Sequence, residues 1–576
     1  MKYIYLKKTF IIFTTLLLGS CTSEIDFTFS TSFEKSAGKQ TATYEEAIDF
    51  YKKAADFSDR ASLQKFDETD LGKPLHLFTI KPEKPAKEAL SILILNGIHP
   101  GEPDGIDASM LLVKRILNAS FVLPEHIILH IVPVYNIGGA LHRNSTSRVN
   151  QKGPENYGFR GNALNYDLNR DFIKSDTKNS KAFYKIYHQV NPSVFIDTHV
   201  SNGADYQYTL THLFTQTEQL GGTLGNFIKN EFIPATEKDL QTKNLPITPY
   251  VNVFNRSPSN GFTQFLDTPR YSTGYTSLWN SLGLMIETHM LKPYPERVQA
   301  TLAMLESLTE QTAKYKDEIQ LKRKQNFTHY NSQDQYLFNY RVDSTQFKTF
   351  QFLGYKASQN KSEVTQLNRL KYHTNQPTTY PVKYYNTFKA SDSVIIPKAY
   401  VIPKAYTKII ELLQINHIKI SPLKKDQVIN AEVYHIANYQ TSNTAYEGHY
   451  LHYNTQVNRQ NEEVVVKKGD YWVETNQKGI RYLLETIEPA AVDSFFNWNF
   501  FDSILQRKEG FSPYVFEDIA LQFLEKHPNI NEAFLGKKLK DSVFANNAYA
   551  QLNWIYQQTN HYEKSHLRYP IYRILK

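Results

Sequence analysis

Apolar positions along this chain fall into two alternating patterns. Ala89–Leu95, Ile127–Val132, Ser193–Thr198 and Gly283–Thr288 are short, nearly continuous apolar runs, the length of strands buried on both faces. Between them, residues 44–56, 104–118, 179–190, 218–230 and 295–315 space their apolar residues as helices do, as in Ile106, Met110, Val113, Ile116 and Leu117. Strands alternating with helices from about Tyr44 to Glu318 predict an α/β layer with a largely parallel sheet, so functional side chains should gather beyond the carboxyl ends of its strands. From about Phe327 the pattern changes. Tyr336–Arg341, Ile395–Val401 and Glu463–Lys467 read as strands, a helix-to-strand element over Lys404–Ile420 interrupts them, and beyond about 487 the tail reads mainly helical. Residues 327–576 are therefore expected to be an accessory region, β-rich and then helical.

At 576 residues the chain is too long for one core, and two or three domains are expected. Composition is that of a globular protein, 41% hydrophobic and 21% charged, and the +8 formal charge is scattered over 65 basic and 57 acidic residues. Without a basic cluster or a nucleic-acid-binding module, nucleic acid is not an expected partner. The first residues stand apart. Lys2, Lys7 and Lys8 precede a short apolar run from Phe10, too short to span a bilayer, which ends in Leu18-Gly-Ser-Cys21. This resembles the lipobox of bacterial lipoproteins, in which the cysteine is lipidated. Cys21 is the single cysteine of the chain, so it has no disulfide partner to explain it. Residues 1–21 are expected to be a lipoprotein signal peptide and 22–43, rich in Ser, Thr and Lys, a tether. The protein would then be exported and held by a lipid anchor to the membrane of a bacterial envelope.

The candidate chemistry sits at the strand ends. Leu95-Asn-Gly-Ile-His-Pro-Gly-Glu102 is a tight strand-to-helix loop in which His99 and Glu102 can converge on one metal ion, and zinc accepts both. The strand Val194-Phe-Ile-Asp-Thr-His199 ends in a histidine suited to be a third ligand. Leu284-Met-Ile-Glu287 puts a carboxylate inside an apolar strand, where it needs a metal or a catalytic role. A long polar loop holding Arg143, Arg148 and Arg160 closes on Asp167-Leu-Asn-Arg170, whose Asn169 and Arg170 suit the grip of a carboxylate.

His99-x-x-Glu102, Asp167-Leu-Asn-Arg170, Asp197-Thr-His199 and Glu287, in this order, resemble the zinc carboxypeptidase family, peptidase family M14, over roughly residues 44–318. The resemblance implies a mixed eight-stranded sheet flanked by helices and one Zn2+ per chain held by His99, Glu102 and His199. It implies Asp167 orienting His99, Glu287 as the catalytic base, and Asn169 and Arg170 binding the free C-terminus of a peptide. It also implies an arginine on the scissile carbonyl, for which Arg148 and Arg143 both qualify, with a lean to Arg148. A tyrosine capping the substrate is implied as well, and Tyr271 and Tyr275 both qualify. The function so implied is hydrolysis of the C-terminal peptide bond of a peptide or a peptidoglycan stem. Two rivals remain: an N-acyl amino acid deacylase of the aspartoacylase type, which shares His-x-x-Glu and Asp-Leu-Asn-Arg, and a non-catalytic surface lipoprotein that binds peptide or glycan.

Overall fold

The four apolar runs form the centre of one sheet. The structure is a computed structural model that describes residues 1 and 26–576, so Cys21 and its lipidation lie outside the described residues. The strands of the amino-terminal half are β1 (Ala61–Glu68), β2 (Pro74–Ile80), β3 (Leu90–Leu95), β4 (Ile127–Val132), β5 (Val194–Ser201), β6 (Leu210–Phe214), β7 (Thr248–Pro249), β8 (Phe262–Thr263) and β9 (Leu282–His289). Eight of them pair in the order β1-β2-β4-β3-β5-β9-β6-β7. β4, β3, β5 and β9 run parallel, β2 is antiparallel to both β1 and β4, β6 is antiparallel to β9, and β7 is parallel to β6, so the sheet is mixed.

Successive residues of the central strands face opposite sides. Ile92, Ile94 and Ile196 enter one apolar cluster with the helices Tyr44–Phe57, Asp104–Leu117 and Tyr294–Lys314. Leu93, Leu95 and Phe195 enter another with the helix Lys178–Val190. Each such buried side chain contributes about 1.5–3 kcal/mol, which explains why these strands read as unbroken apolar runs rather than alternating ones.

The second cluster does not stop at residue 318. Tyr400, Leu412, Tyr482, Leu483 and Trp498 belong to it, so the carboxyl-terminal region completes the core on that side of the sheet. Its strands are β10 (Gln335–Val342), β11 (Lys348–Lys361), β12 (Asn368–Tyr385), β13 (Phe388–Ile395), β14 (Ala399–Ile402), β15 (Ser421–Pro422), β16 (Gln427–Thr441), β17 (His452–Val466), β18 (Tyr471–Glu474) and β19 (Tyr572–Ile574). β16 and β17 form a long antiparallel hairpin. Four helices between Pro513 and Tyr556 make up most of the tail and bury a cluster of their own around Phe516, Phe534 and Tyr556. The β-rich then helical order expected for 327–576 is the order observed.

Several expectations need correction. The described part of the 22–43 segment is not a tether: the Phe27 ring is buried, its N–H donates to Asn118 Oδ1 at 2.8 Å, and Thr31 and Glu34 form a reciprocal cap on the short helix Ser32–Lys35. Its Phe rings outweigh its polar residues. The helix expected over 218–230 is broken after Leu220, where Gly221 and Gly222 take φ of +70° and +59°, and helical turns resume from Gly222 to Thr242. The run Ile395–Val401 is shared between β13 and β14, because Pro397 interrupts it. Over 404–420 only the helix Thr407–Ile415 forms, and the strand after it is the two-residue β15, just beyond that range. The helix Lys316–Phe327 carries the amino-terminal unit past residue 318. Among the described residues no helix is long and apolar enough to cross a membrane.

Candidate active site

Three parallel strands, β3, β5 and β9, deliver the site at their carboxyl ends. Beyond β3 the chain turns at Gly97 with φ +68°, a left-handed conformation that favours glycine, and brings His99 and Glu102 back over the sheet. The following helix can lie against β5 because Gly105 has no side chain; a Cβ there would stand 2.0 Å from Thr198 Oγ1. On β5, His199 pairs in register with Glu287 on β9.

His99, Glu102 and His199 are 4%, 3% and 4% exposed, and one donor atom from each lies within 4.8 Å of the others. His99 Nε2 is 2.8 Å from Asp167 Oδ1 and His199 Nε2 is 2.9 Å from Asp197 Oδ2. Ionised carboxylates only accept, so both Nε2 atoms carry the proton and both Nδ1 atoms keep a lone pair. Those lone pairs face Glu102 Oε2 at 3.4 Å and 3.1 Å. Two lone pairs and a carboxylate oxygen facing one another repel unless a cation stands among them. Tetrahedral zinc with ligand bonds near 2.0–2.1 Å needs donors roughly 3.3 Å apart, which these two separations match. Carboxylates behind both histidines complete the usual support of a metal-binding imidazole.

The charges respond to this crowding. Burial pushes the Glu102 carboxyl up, but the Arg148 guanidinium and both imidazoles outweigh it and hold the group well below the usual range. Burial likewise opposes charge on His199, yet Asp197 and Glu102 raise it well above an ordinary histidine. Glu287 is pushed up to about 8, mainly by burial, with Glu102 and Asp197 adding repulsion against the pull of His199. Asp167 is lowered by His99, Arg160 and Arg170 against its burial.

These residues open on a cavity of about 330 Å³ that also contains Arg148, Arg160, Asn169, Arg170 and Tyr271. Asn169 Oδ1 accepts the Ser272 N–H at 3.0 Å, and the Arg170 guanidinium lies 4.5 Å from the centre of the Tyr271 ring. The remaining wall includes Leu213, Met285, Phe265, Phe254 and Tyr250.

Two sequence candidates are elsewhere. Arg143 donates to the carbonyls of Asn156 (2.9 Å), Ala42 and Thr41, tying the amino-terminal segment to the loop, and does not reach the cavity. Tyr275 is fully buried inside the helix Ser272–Ser277, and its hydroxyl donates to Asn416 Oδ1 at 2.6 Å, so it belongs to the core between the two halves of the chain. Arg148 lines the cavity and donates to Glu102 Oε1 at 2.6 Å. The sequence reading left Arg160 without a role. It donates to Asp167 Oδ2 at 3.0 Å, also reaches Glu102, and remains open to the cavity. Its place between Gly158 and Gly161, just ahead of Asp167-Leu-Asn-Arg170, was the available signal. His289 packs on Tyr206 and pairs with Asp205 at 3.1 Å rather than lining the cavity.

An eight-stranded mixed sheet thus presents a buried His-Glu-His donor set at its strand ends. Residues 48–230 match the model of the zinc carboxypeptidase family, Peptidase_M14. Carboxypeptidase 2 of Trichophyton equinum is 22% identical over 434 residues, covering 72% of this chain and 74% of the relative. The Trichophyton rubrum carboxypeptidase 2 is 22% identical over 432 residues, with 72% and 74% covered. Among solved structures, a metallo-carboxypeptidase from Burkholderia cenocepacia aligns with a TM-score of 0.36 at 17% identity, covering 47% of this chain and 70% of that one. Over residues 48–230 the chain is therefore similar to the zinc carboxypeptidase family, peptidase family M14.

Proposed function

We propose that this protein is a zinc-dependent metallocarboxypeptidase that removes the C-terminal residue of peptides. The observation that carries the reading is one cavity holding a complete donor set, a buried carboxylate and a guanidinium suited to a chain end. His99, Glu102 and His199 would hold the zinc, with Asp167 and Asp197 fixing the two imidazoles. A bound zinc supplies Lewis-acid activation of water and of the scissile carbonyl.

The chain's own residues divide the remaining work. Glu287 takes a proton from the attacking water and returns it to the leaving amine as the C–N bond breaks. The burial that raises its pKa makes it a competent proton carrier near neutrality. Arg148 and Arg160 face the charge that develops on the carbonyl oxygen. Arg160, being the more accessible, is the better placed to reach it. Arg170, steadied by Tyr271, binds the substrate carboxylate through two parallel N–H···O bonds, with Asn169 beside it. These contacts fix which peptide bond reaches the metal.

Zinc binds the neutral imidazole and the ionised carboxylate, so protons compete with it at these donors, and Asp197 and Glu102 strengthen that competition by raising His199. Metal uptake should therefore release protons. Affinity should weaken as pH falls, because the metal-free state binds more protons. Calorimetric titrations in buffers of different ionisation enthalpy measure this. Zinc affinity independent of pH between 6 and 8 would contradict the arrangement.

The cavity wall also bears on the released residue. Leu213 and Met285 face each other across β6 and β9, and Phe265 and Phe254 add aromatic surface. Apart from Glu102 and Glu287 the lining has no acidic group to receive a basic side chain. Peptides ending in Phe, Leu or Tyr should be cut at least tenfold faster, in kcat/KM, than those ending in Lys, Arg or Asp; a contrast of about 1.4 kcal/mol is enough for this. A preference for terminal Lys or Arg in matched peptides would refute it.

A further inference from the structure

The carboxyl-terminal region reaches the site at one point. The β16–β17 hairpin folds back over the polar loop, and its tip, Tyr446 to His449, closes as a tight turn. Glu447 Oε2 there accepts the backbone N–H of Asp167 at 2.8 Å, across 280 residues of sequence. Asp167 is the carboxylate that holds His99 Nε2 and pairs with Arg160. We propose that Glu447 is a positioning residue for the metal centre, setting the Asp167 backbone so that its carboxylate orients His99. The inference rests on the metal-site reading above.

Three features separate this role from simple docking. The hairpin tip is held independently of Glu447: His449 Nε2 lies 2.7 Å from Asp176 Oδ2, Tyr446 packs on the Arg270 guanidinium at 5.6 Å, and Gly448 sits against Tyr166. Glu447 itself adopts φ +49°, a left-handed conformation unfavourable for a non-glycine residue, and that conformation accompanies its carboxylate's reach to Asp167. Among the described residues, the Asp167 N–H has no other acceptor. The same region also holds the opposite wall. Asp493 accepts from Arg270 N at 3.0 Å and Nε at 2.7 Å, fixing the residue next to Tyr271. The segments carrying Asp167 and Tyr271 are thus both pinned from behind by residues beyond 440.

The test uses the full chain in three forms: wild type, Glu447→Ala and Glu447→Gln. Glutamine keeps a carbonyl oxygen that accepts the Asp167 N–H, so it should behave as the conservative rescue. The readouts are the rate of zinc loss to a chelator, the melting temperature, and kcat and KM on a peptide. Glu447→Ala should lose zinc about 10–100-fold faster and lose kcat by a similar factor, the range seen when a partner of a metal ligand is removed. KM and melting temperature should change little, and Glu447→Gln should stay within a few-fold of wild type. Wild-type zinc retention in Glu447→Ala would overturn the proposal. So would a Glu447→Gln protein as impaired as Glu447→Ala, since charge rather than the hydrogen bond would then matter. A Glu447→Ala chain that fails to fold would also overturn it by showing that the contact is needed for docking. Should wild type hold zinc but cut no peptide, the carboxypeptidase reading fails while the chelator experiment still decides the role of Glu447.

Discussion

Glu287→Gln should leave zinc content at one per chain and lower kcat by about 10²–10⁴-fold, the usual contribution of a positioned general base. Glutamine matches the shape of the side chain but cannot take the water's proton. The change touches none of the three donors, which come from the loop after β3 and from β5, whereas Glu287 stands on β9. Metal analysis and turnover on one preparation check both halves. Near-normal turnover in Glu287→Gln would remove Glu287 as the base, and loss of zinc would make it a ligand instead.

Arg170→Ala should be nearly as damaging, but only toward substrates with a free carboxylate. Removing one partner of a buried charge pair costs about 2–5 kcal/mol, roughly a thirtyfold to several-thousandfold loss in kcat/KM. Wild type should cut a C-terminally amidated peptide poorly for the same reason, because the amide has neither the charge nor two equivalent oxygens. The two handicaps remove one contact and should not add. Arg170→Ala should therefore discriminate little between acid and amide while keeping its zinc. Four rates, two proteins on two peptides, measure this. A wild type indifferent to amidation would mean that Arg170 does not read a chain end, and an endopeptidase or a deacylase would then fit better.

The centre of the fold was legible because burial on both faces leaves a strand no polar positions. β3, β4, β5 and β9 fall within a few residues of the runs that announce them, and the donors follow at their ends. The strands β6 and β7 are shorter and carry no comparable apolar run. The choice between Tyr271 and Tyr275 turned on where a helix begins. Tyr271 precedes it with extended backbone and turns to the cavity, while Tyr275, one turn inside, is carried into the core beside Tyr184. No local pattern marks that difference. Arg143, Arg148 and Arg160 share one loop without periodicity, and only the folded path of that loop separates them. Glu447 was beyond reach, since its partner lies 280 residues away. The change of pattern from about Phe327 suggested an accessory region, and much of that region packs into the cluster beneath the sheet.

The central claim is that this protein shortens peptides from the C-terminus with the zinc held by His99, Glu102 and His199. A mixed set of free-acid peptides, incubated with the zinc-loaded protein and read by mass spectrometry, tests it most directly. The predicted result is loss of single residues from the C-terminal end, fastest after bulky apolar residues, abolished by a chelator and restored by zinc. Internal fragments, or intact peptides alongside release of acyl groups from small N-acyl amino acids, would contradict it.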